Sequence, residues 1–209
     1  MSGVGLTAVE VLRRGPVLPV IVIADAGLAV DLAQALLAGG MRTLEVTLRT
    51  PAALQAIRRI RDALPQICVG AGTVLDADDW QRAQDAGAQF GVSPGATPPL
   101  LRAAAGQTFI PGVSTVSEAM MARDAGFTAL KLFPAEAVGG RALLRSLYGP
   151  LPQLVFCPTG GISPANAAEY LALPNVACVG GSWLVPEAAL MAQDWATIHT
   201  LAQQAAALR

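Results

Sequence analysis

Short strand-like segments alternate with longer helix-like segments along almost the whole of this 209-residue chain. The short segments are rich in Val, Ile, Leu and Thr, and the longer ones are rich in Ala and Leu at helical spacing, which is typical of consecutive βα units with a parallel sheet. Further helices are predicted over residues 7–14 and 189–206. Helix caps are predicted at three hydroxyl residues that precede a proline, Thr50, Thr97 and Ser163. The eight predicted strands are residues 18–23, 43–48, 68–71, 90–92, 109–110, 129–133, 155–157 and 177–179.

A series of βα units can close into a barrel or form an open sheet with helices on both faces. A dinucleotide-binding open sheet carries a glycine-rich fingerprint after its first strand, whereas an Ala-Asp-Ala-Gly sequence follows here, at residues 24–27. We therefore expect a single (β/α)8 barrel domain over residues 1–209, with a short amino-terminal helix. Because active sites of such barrels lie at the carboxyl ends of the strands, polar residues there are the first functional candidates.

Composition narrows the possible function classes. A formal net charge of -1 and a hydrophobic content of 53% fit neither a disordered chain nor a basic nucleic-acid-binding protein. No apolar stretch approaches the roughly 20 residues needed to cross a bilayer, and the amino terminus lacks the basic segment and long apolar core of an export signal. We therefore expect a cytoplasmic protein that acts on a small molecule.

Residues that bind metals are scarce and scattered. Cys68, Cys157 and Cys178 lie in separate apolar segments, and His199, the one histidine, lies in a predicted helix. Free cysteine usually behaves as a small core residue, so we expect three buried thiols. Without close cysteine pairs or a second histidine no zinc site is expected, and a Ser-His-Asp triad is not expected because His199 would have to be its only base; we predict no metal site.

Lys131 is the one lysine in the chain and lies in the apolar segment 128–134. Alternation along a strand places it on the same face as Ala129 and Phe133, opposite the leucines that should face the helices. Removal of an ammonium from water favours its neutral form, and a neutral amine is the nucleophile that attacks a carbonyl. The sequence therefore suggests a nucleophilic lysine, with a purely structural lysine as the alternative.

The second predicted strand carries polar residues at every other position. Glu45, Thr47 and Arg49 should point together towards the barrel centre. A glutamate there suits proton transfer, and an arginine suits binding of a substrate carboxylate. The competing explanation is that Glu45 only neutralises Arg49 or Lys131 as a structural pair, and both explanations stay open at this point.

Glycine-rich segments end three further strands. Residues 70–73 combine the hydroxyl of Thr73 with small residues, which serve either the close approach of a ligand or tight packing of the strands. Paired glycines follow the seventh and eighth predicted strands, where barrels often bind phosphate through backbone N–H groups. The predicted phosphate-binding residues are Gly160, Gly161, Gly180, Gly181 and Ser182.

Two segments of the chain resemble the signature segments of a known enzyme family. Residues 40–49 and 126–135 are similar to those of the bacterial 2-keto-3-deoxy-6-phosphogluconate (KDPG) aldolases, which include 4-hydroxy-2-oxoglutarate (KHG) aldolase activity, and the similarity extends over residues 70–73, 93–95 and 111–113. The resemblance implies a class I aldolase on a small (β/α)8 barrel, usually a homotrimer. It also implies a role in the Entner-Doudoroff route, without metal or organic cofactor.

The resemblance also implies a role for each matching residue. Lys131 would form an imine with the ketoacid, and Glu45 would move protons through a water molecule. Arg49 and Thr73 would hold the substrate carboxylate, and the two glycine turns would receive its phosphate. The implied pocket residues are Pro94 and Phe133, together with Thr159, which would contact the substrate hydroxyls.

Three alternative functions compete with this interpretation. One is cleavage of the galactonate epimer, whose specific relatives tend to lack a threonine at the position of Thr159, so that the gluconate substrate is favoured here. Another is a non-catalytic phosphosugar-binding barrel in which Lys131 merely pairs with Glu45. A metal-dependent aldolase conflicts with the presence of a single histidine.

Overall fold

The computed structural model describes residues 5–208, which form nine β-strands, ten α-helices and two short 3-10 helices. The strands are β1 (Val17–Ile21), β2 (Thr43–Thr47), β3 (Cys68–Gly72), β4 (Gly91–Val92), β5 (Phe109–Ile110), β6 (Gly112–Val113), β7 (Ala129–Leu132), β8 (Val155–Pro158) and β9 (Val179–Gly181). The helices are α1 (Ala8–Leu12), α2 (Ala29–Ala38), α3 (Ala53–Ala63), α4 (Ala77–Asp85), α5 (Pro98–Ala103), α6 (Val116–Asp124), α7 (Gly140–Tyr148), α8 (Ala167–Leu171), α9 (Glu187–Met191) and α10 (Trp195–Ala206). The 3-10 helices are Ala26–Leu28 and Glu136–Val138.

The strands are parallel and lie in two sheets. One sheet has the order β5-β4-β3-β2-β1-β9, and the other has the order β6-β7-β8. In the first sheet Glu45 is registered with Val20 on one side and with Gly70 on the other. In the second sheet Lys131 lies between Gly112 and Cys157.

The predicted single (β/α)8 barrel of eight strands is wrong, because residues 5–208 give nine strands divided between two sheets. Pro111 separates β5 from β6, since a proline has no N–H group to donate to a sheet. At the other boundary, β8 and the chain near β9 meet through two isolated bridges, from Phe156 to Val176 and from Thr159 to Gly180. The predicted strand at residues 177–179 is displaced along the chain, to Val179–Gly181.

Alternation along the strands divides the core into two clusters. The larger cluster lies between the sheets and the helices and includes Leu44, Leu130 and Leu132. The smaller cluster includes Ala129 and Cys157 and contains side chains from both sheets, with α1 packed against it. The strand pattern thus confirms that the leucines flanking Lys131 face the helices.

The two predicted terminal helices have different outcomes. The amino-terminal helix is confirmed as α1, which begins with a capping box between Thr7 and Glu10. The closing helix predicted at residues 189–206 is confirmed over Trp195–Ala206 as α10, but it is not continuous, because the chain before it forms the separate helix α9. Gln193 between them has a φ of 54°, and Asp194 caps the start of α10 by accepting from the N–H of Thr197.

The three predicted helix caps also differ. Thr97 caps α5, with proline in the first turn, as predicted. Thr50 is not a cap; its hydroxyl instead donates to the Ile23 carbonyl at the end of β1. Ser163 is not a cap either, because α8 begins after Asn166, whose side-chain oxygen accepts from the Ser163 N–H.

Within the described residues no helix is long and apolar enough to span a membrane.

All three cysteines are free and buried, as predicted. Cys68 lies in the smaller core cluster, and its burial raises the pKa of the thiol from 9.0 to about 11, against the opposing effect of Arg14 and Arg61. Between these pH values the unfolded chain releases this proton while the folded chain retains it, so the unfolded state is favoured increasingly as the pH rises.

We therefore expect the free energy of unfolding in urea to decrease as the pH rises from about 9 to about 11, and to decrease less in a Cys68→Ala variant. Below this window the thiol is protonated in both states, and the two proteins should show the same pH dependence. Urea titrations followed by circular dichroism at each pH measure the difference. Parallel curves for the two proteins across the window would contradict the prediction.

Candidate active site

Lys131 on β7 and Glu45 on β2 meet in the interior of the protein. The Lys131 Nζ atom donates to Glu45 Oε1 at 3.3 Å, and only 6% of Lys131 and 1% of Glu45 is exposed. Glu45 thus pairs with Lys131, and not with Arg49, among the described residues. A nucleophilic amine and a proton-accepting carboxylate lie in direct contact, as general base and nucleophile do in covalent catalysis.

The space occupied by the Glu45 side chain depends on a glycine in the neighbouring strand. A Cβ atom at Gly72 would lie 2.1 Å from Glu45 Oε1, and one at Gly70 would lie 2.5 Å from the ring of Phe90. The sequence left open whether these glycines allow a ligand to approach or serve tight packing. In the structure they make room for side chains of adjacent strands.

An aromatic ring lies beside the Lys131 amine, and a closely packed chain segment lies against the neighbouring strand. The Lys131 Nζ atom lies 5.3 Å from the centroid of the Phe133 ring, within the range of a cation–π contact. Gly112, registered with Lys131, would bring a Cβ atom to 2.3 Å from the carbonyl carbon of Pro94. Phe133 therefore lies beside the amine, whereas Pro94 packs against Gly112 in the neighbouring strand.

Thr159 lies directly after β8, next to the end of β7. Its N–H donates to the Leu132 carbonyl at 2.9 Å, and its buried hydroxyl makes two long contacts with Cys157, one of 3.4 Å to the carbonyl and one of 3.8 Å to the sulfur. A Cβ atom at Gly180 would lie 2.1 Å from the Thr159 hydroxyl oxygen. Gly180 is thus required for Thr159 to occupy this position. The prediction of a turn at Gly180 and Gly181 is wrong, because both residues lie within β9 and pair with β1.

The predicted phosphate-binding residues lie at the ends of β8 and β9. Gly160 and Gly161 have φ values of 96° and 79°, a region that glycine adopts without steric cost. Ser182 follows Gly181 at the end of β9 and is exposed. Among the backbone hydrogen bonds that connect turns and loops within residues 5–208, none has the Ser182 N–H as its donor.

The two predicted carboxylate-binding residues lie outside the buried centre. Arg49 follows the end of β2 and is exposed, so it does not share the buried position of Glu45 and Thr47. It lines a cavity of about 680 Å³ together with Ser182 and Val20. Thr73 follows β3 with a φ of 57°, an outlier for a β-branched residue and of the kind that clusters at functional sites.

Some residues near the candidate site were not predicted. Val20, the register partner of Glu45, lines the cavity beside Arg49, and its place in an apolar strand gave no sign of this. The glycine turn after β8 (Gly160 and Gly161) is contacted by Glu136 and Asn166. Tyr170 contacts Glu136 and so reaches the turn indirectly. Glu136 and Asn166 are polar residues at helix starts, which are common on protein surfaces, and Tyr170 lies on the buried face of α8, so the sequence gave no signal for a functional role. In residues 5–208 no three His, Cys, Asp or Glu side chains cluster as metal ligands would.

Comparison with known proteins gives consistent similarities over the whole chain. The model of the KDPG and KHG aldolase family matches residues 8–201. The KHG/KDPG aldolase of Escherichia coli K12 is 54% identical over 95% of this chain and 94% of its own. The 2-dehydro-3-deoxy-phosphogluconate aldolase of Pseudoalteromonas atlantica is 52% identical over 95% of this chain and 93% of its own.

A solved structure is similar in fold as well as in sequence. It is the crystal structure of the KDPG aldolase from Legionella pneumophila, with pyruvate captured at low pH as a covalent carbinolamine intermediate. It superposes with a TM-score of 0.94 at 45% identity, over 97% of this chain and 99% of that chain.

The buried pair provides a test of how strongly its two charges depend on each other. A Lys131→Met variant leaves the Glu45 carboxylate buried without its partner, and we expect it to lose about 3–5 kcal/mol of unfolding free energy. The double variant Lys131→Met/Glu45→Gln should recover part of this loss, because no uncompensated charge stays buried. Urea unfolding of Lys131→Met, Glu45→Gln and the double variant measures the coupling between the two side chains. Strictly additive losses of unfolding free energy would contradict this coupling.

Proposed function

Because this chain belongs to the KDPG and KHG aldolase family, we propose that it is a class I aldolase that cleaves 2-dehydro-3-deoxy-6-phosphogluconate to pyruvate and D-glyceraldehyde 3-phosphate. A side activity on 4-hydroxy-2-oxoglutarate belongs to the same proposal, since that shorter ketoacid undergoes the same bond cleavage. The enzyme is thus an aldehyde-lyase that uses a Schiff base, and no cofactor takes part in the proposed steps.

The observation that carries this proposal is the contact between Lys131 and Glu45. An amine that is almost completely enclosed lies 3.3 Å from a carboxylate that is enclosed as well. The carboxylate can accept a proton from the protonated amine, which leaves the neutral amine free to attack a carbonyl carbon. A chemical experiment, described below, distinguishes this role from that of a purely structural pair.

The reaction begins with attack of the neutral Lys131 amine on C2 of the ketoacid. A carbinolamine forms, and loss of water from it gives a protonated imine between Nζ and C2. The positive charge of the imine withdraws electrons from the C3–C4 bond. Covalent catalysis in this way divides one difficult step into several easier ones.

Glu45 then accepts the proton of the C4 hydroxyl, through a water molecule. The C3–C4 bond breaks, its electron pair forms an enamine with C2 and C3, and C4 leaves as the carbonyl of D-glyceraldehyde 3-phosphate. The enamine takes a proton at C3, and hydrolysis of the resulting imine releases pyruvate and restores the amine. One carboxylate can serve both proton transfers, because it accepts a proton in one step and returns it in the other.

The remaining candidate residues are assigned to binding. We assign Arg49 and Thr73 to the substrate carboxylate, and the accessible guanidinium of Arg49 in the cavity supports its part of this assignment. Thr159 is assigned to the substrate hydroxyls, and its weakly bonded buried hydroxyl supports this role. Pro94 and Phe133 are assigned to the pocket, and the phosphate to Gly160, Gly161, Gly180, Gly181 and Ser182.

Four wider statements stay predictions. They are that residues 1–209 form one domain, that the protein assembles as a homotrimer, that it is cytoplasmic, and that it acts in the Entner-Doudoroff route. The trimer and the pathway rest on resemblance to the family alone.

Imine formation can be tested cleanly, because Lys131 is the only lysine in the chain. After incubation with pyruvate and borohydride, we expect a reduced pyruvate adduct on Lys131 and none in a Lys131→Met control. Peptide mapping by mass spectrometry locates the adduct and separates it from any adduct at the terminal amine. A folded protein that gives no adduct at Lys131 in excess pyruvate would favour the non-catalytic phosphosugar-binding alternative.

Substrate stereochemistry is a separate prediction. We expect a higher kcat/KM for the phosphorylated gluconate-derived ketoacid than for its galactonate epimer, and a reduced ratio in Thr159→Val, which removes the hydroxyl but keeps the shape. Loss of one hydrogen bond to a substrate hydroxyl corresponds to a change of about tenfold. Cleavage assays with both epimers measure the ratio, and a clear preference of the unaltered protein for the galactonate epimer would reject the assignment.

A further inference from the structure

The glycine turn after β8 rests directly on the chain segment that follows β7. A Cβ atom at Gly160 would lie 3.2 Å from the Pro134 Cα atom, and one at Gly161 would lie 2.5 Å from Glu136 Cγ. Both glycines also have positive φ values. The conformation of the turn therefore depends on what holds residues 134–136 in place.

Backbone hydrogen bonds join this segment to the turn. The Ala135 N–H donates to the Thr159 carbonyl at 2.8 Å, and the Glu136 N–H donates to the Gly160 carbonyl at 3.1 Å. These bonds fix the orientation of two successive peptide groups of the turn, and Glu136 supplies both a hydrogen bond and a packing surface.

A side chain at the start of α8 holds the third peptide group. The Asn166 amide donates to the Gly161 carbonyl at 3.0 Å, while the oxygen of the same side chain accepts from the Ser163 N–H at 2.9 Å. In a planar trans peptide the carbonyl and the following N–H point in opposite directions. Three fixed carbonyls therefore direct the N–H groups of residues 160–162 away from their anchors, as a preorganised anion-binding turn requires.

Glu136 is itself held by a buried tyrosine. The Tyr170 hydroxyl, on α8, donates to Glu136 Oε1, and the Tyr170 side chain is fully buried. Burial, together with the Glu136 carboxylate, raises the pKa of the Tyr170 phenol, so the hydroxyl keeps its proton at neutral pH. A Cβ atom at Gly140 would lie 2.4 Å from the Tyr170 hydroxyl oxygen, so Gly140 leaves the space that this contact needs.

We propose that Glu136, Asn166 and Tyr170 are positioning residues that hold the glycine turn in the conformation that binds the substrate phosphate, and thereby set the preference for phosphorylated over unphosphorylated substrates. This inference rests on the proposed function, which assigns the phosphate to the turn. Within the described residues none of the three side chains forms a hydrogen bond or ion pair with Lys131 or Glu45. Imine chemistry at Lys131 should therefore proceed without them.

The test compares a reaction that uses the phosphate with one that does not. The first is cleavage of 2-dehydro-3-deoxy-6-phosphogluconate, and the second is exchange of the pyruvate methyl protons with deuterated water, followed by NMR, which needs only the imine and proton transfer. The variants are Tyr170→Phe and Asn166→Ala, with Tyr148→Phe as the matched control, because Tyr148 is 44% exposed on α7.

We expect kcat/KM for cleavage to decrease about tenfold or more in Tyr170→Phe and Asn166→Ala, mainly through KM, because a turn that is less preorganised binds phosphate less tightly. Pyruvate exchange should stay within about twofold of the unaltered protein. Tyr148→Phe should change neither reaction.

Equal losses in both reactions would mean a general structural role, and unchanged cleavage would mean that the turn needs no such support; either result overturns the proposal. If Tyr170→Phe fails to fold, as its thermal midpoint would reveal, Asn166→Ala decides the question, because its half-buried side chain can be removed with little loss of packing. Failure of the proposed function is distinguishable, because the unaltered protein would then show neither cleavage nor exchange.

Discussion

The buried contact between the Lys131 ammonium and the Glu45 carboxylate, 3.3 Å apart, places strict demands on the structure around it. Neither group is solvated to any extent, so each depends on the other, and the cost of removing two charges from water must be offset by close contact. The contact joins two sheets, because Glu45 lies on β2 of the six-stranded sheet and Lys131 on β7 of the three-stranded sheet. Any change that separates the sheets therefore also separates the reacting groups.

The neighbouring strands supply space rather than further charge. Gly72 is the clearest case, since any side chain at that position would occupy the volume of the Glu45 carboxylate. Gly180 likewise leaves space for the hydroxyl of Thr159, and Gly112 leaves space for the backbone of Pro94. Interiors are packed so densely that a polar side chain can enter only where a neighbour has none. These glycines explain how a small protein accommodates long functional side chains inside its sheets.

The glycine turn after β8 illustrates a second kind of support, in which the site depends on residues with no chemistry of their own. The conformation of Gly160 and Gly161 is maintained by backbone contacts from residues 135–136 and by the Asn166 amide, and the Glu136 side chain is held in turn by Tyr170 in the interior. A phosphate site made of backbone N–H groups carries no charged side chain, so its affinity depends on preorganisation. The helix α8 contributes to function in this way without touching the substrate.

The sequence by itself determined the order and approximate positions of the strands, the burial of the three cysteines, and the nucleophilic candidate, because each follows from a local pattern of apolar and polar residues or from one lysine in an apolar strand. Alternation along β2 also placed Glu45 correctly, but it misplaced Arg49, which lies beyond the end of the strand. The tertiary structure decided the division into two sheets at Pro111, the break between α9 and α10, and the anchoring of the glycine turn by Glu136, Asn166 and Tyr170. These features depend on contacts between residues far apart in the chain, and no local pattern of side chains specifies which distant neighbour a strand end, a turn or a polar residue will meet.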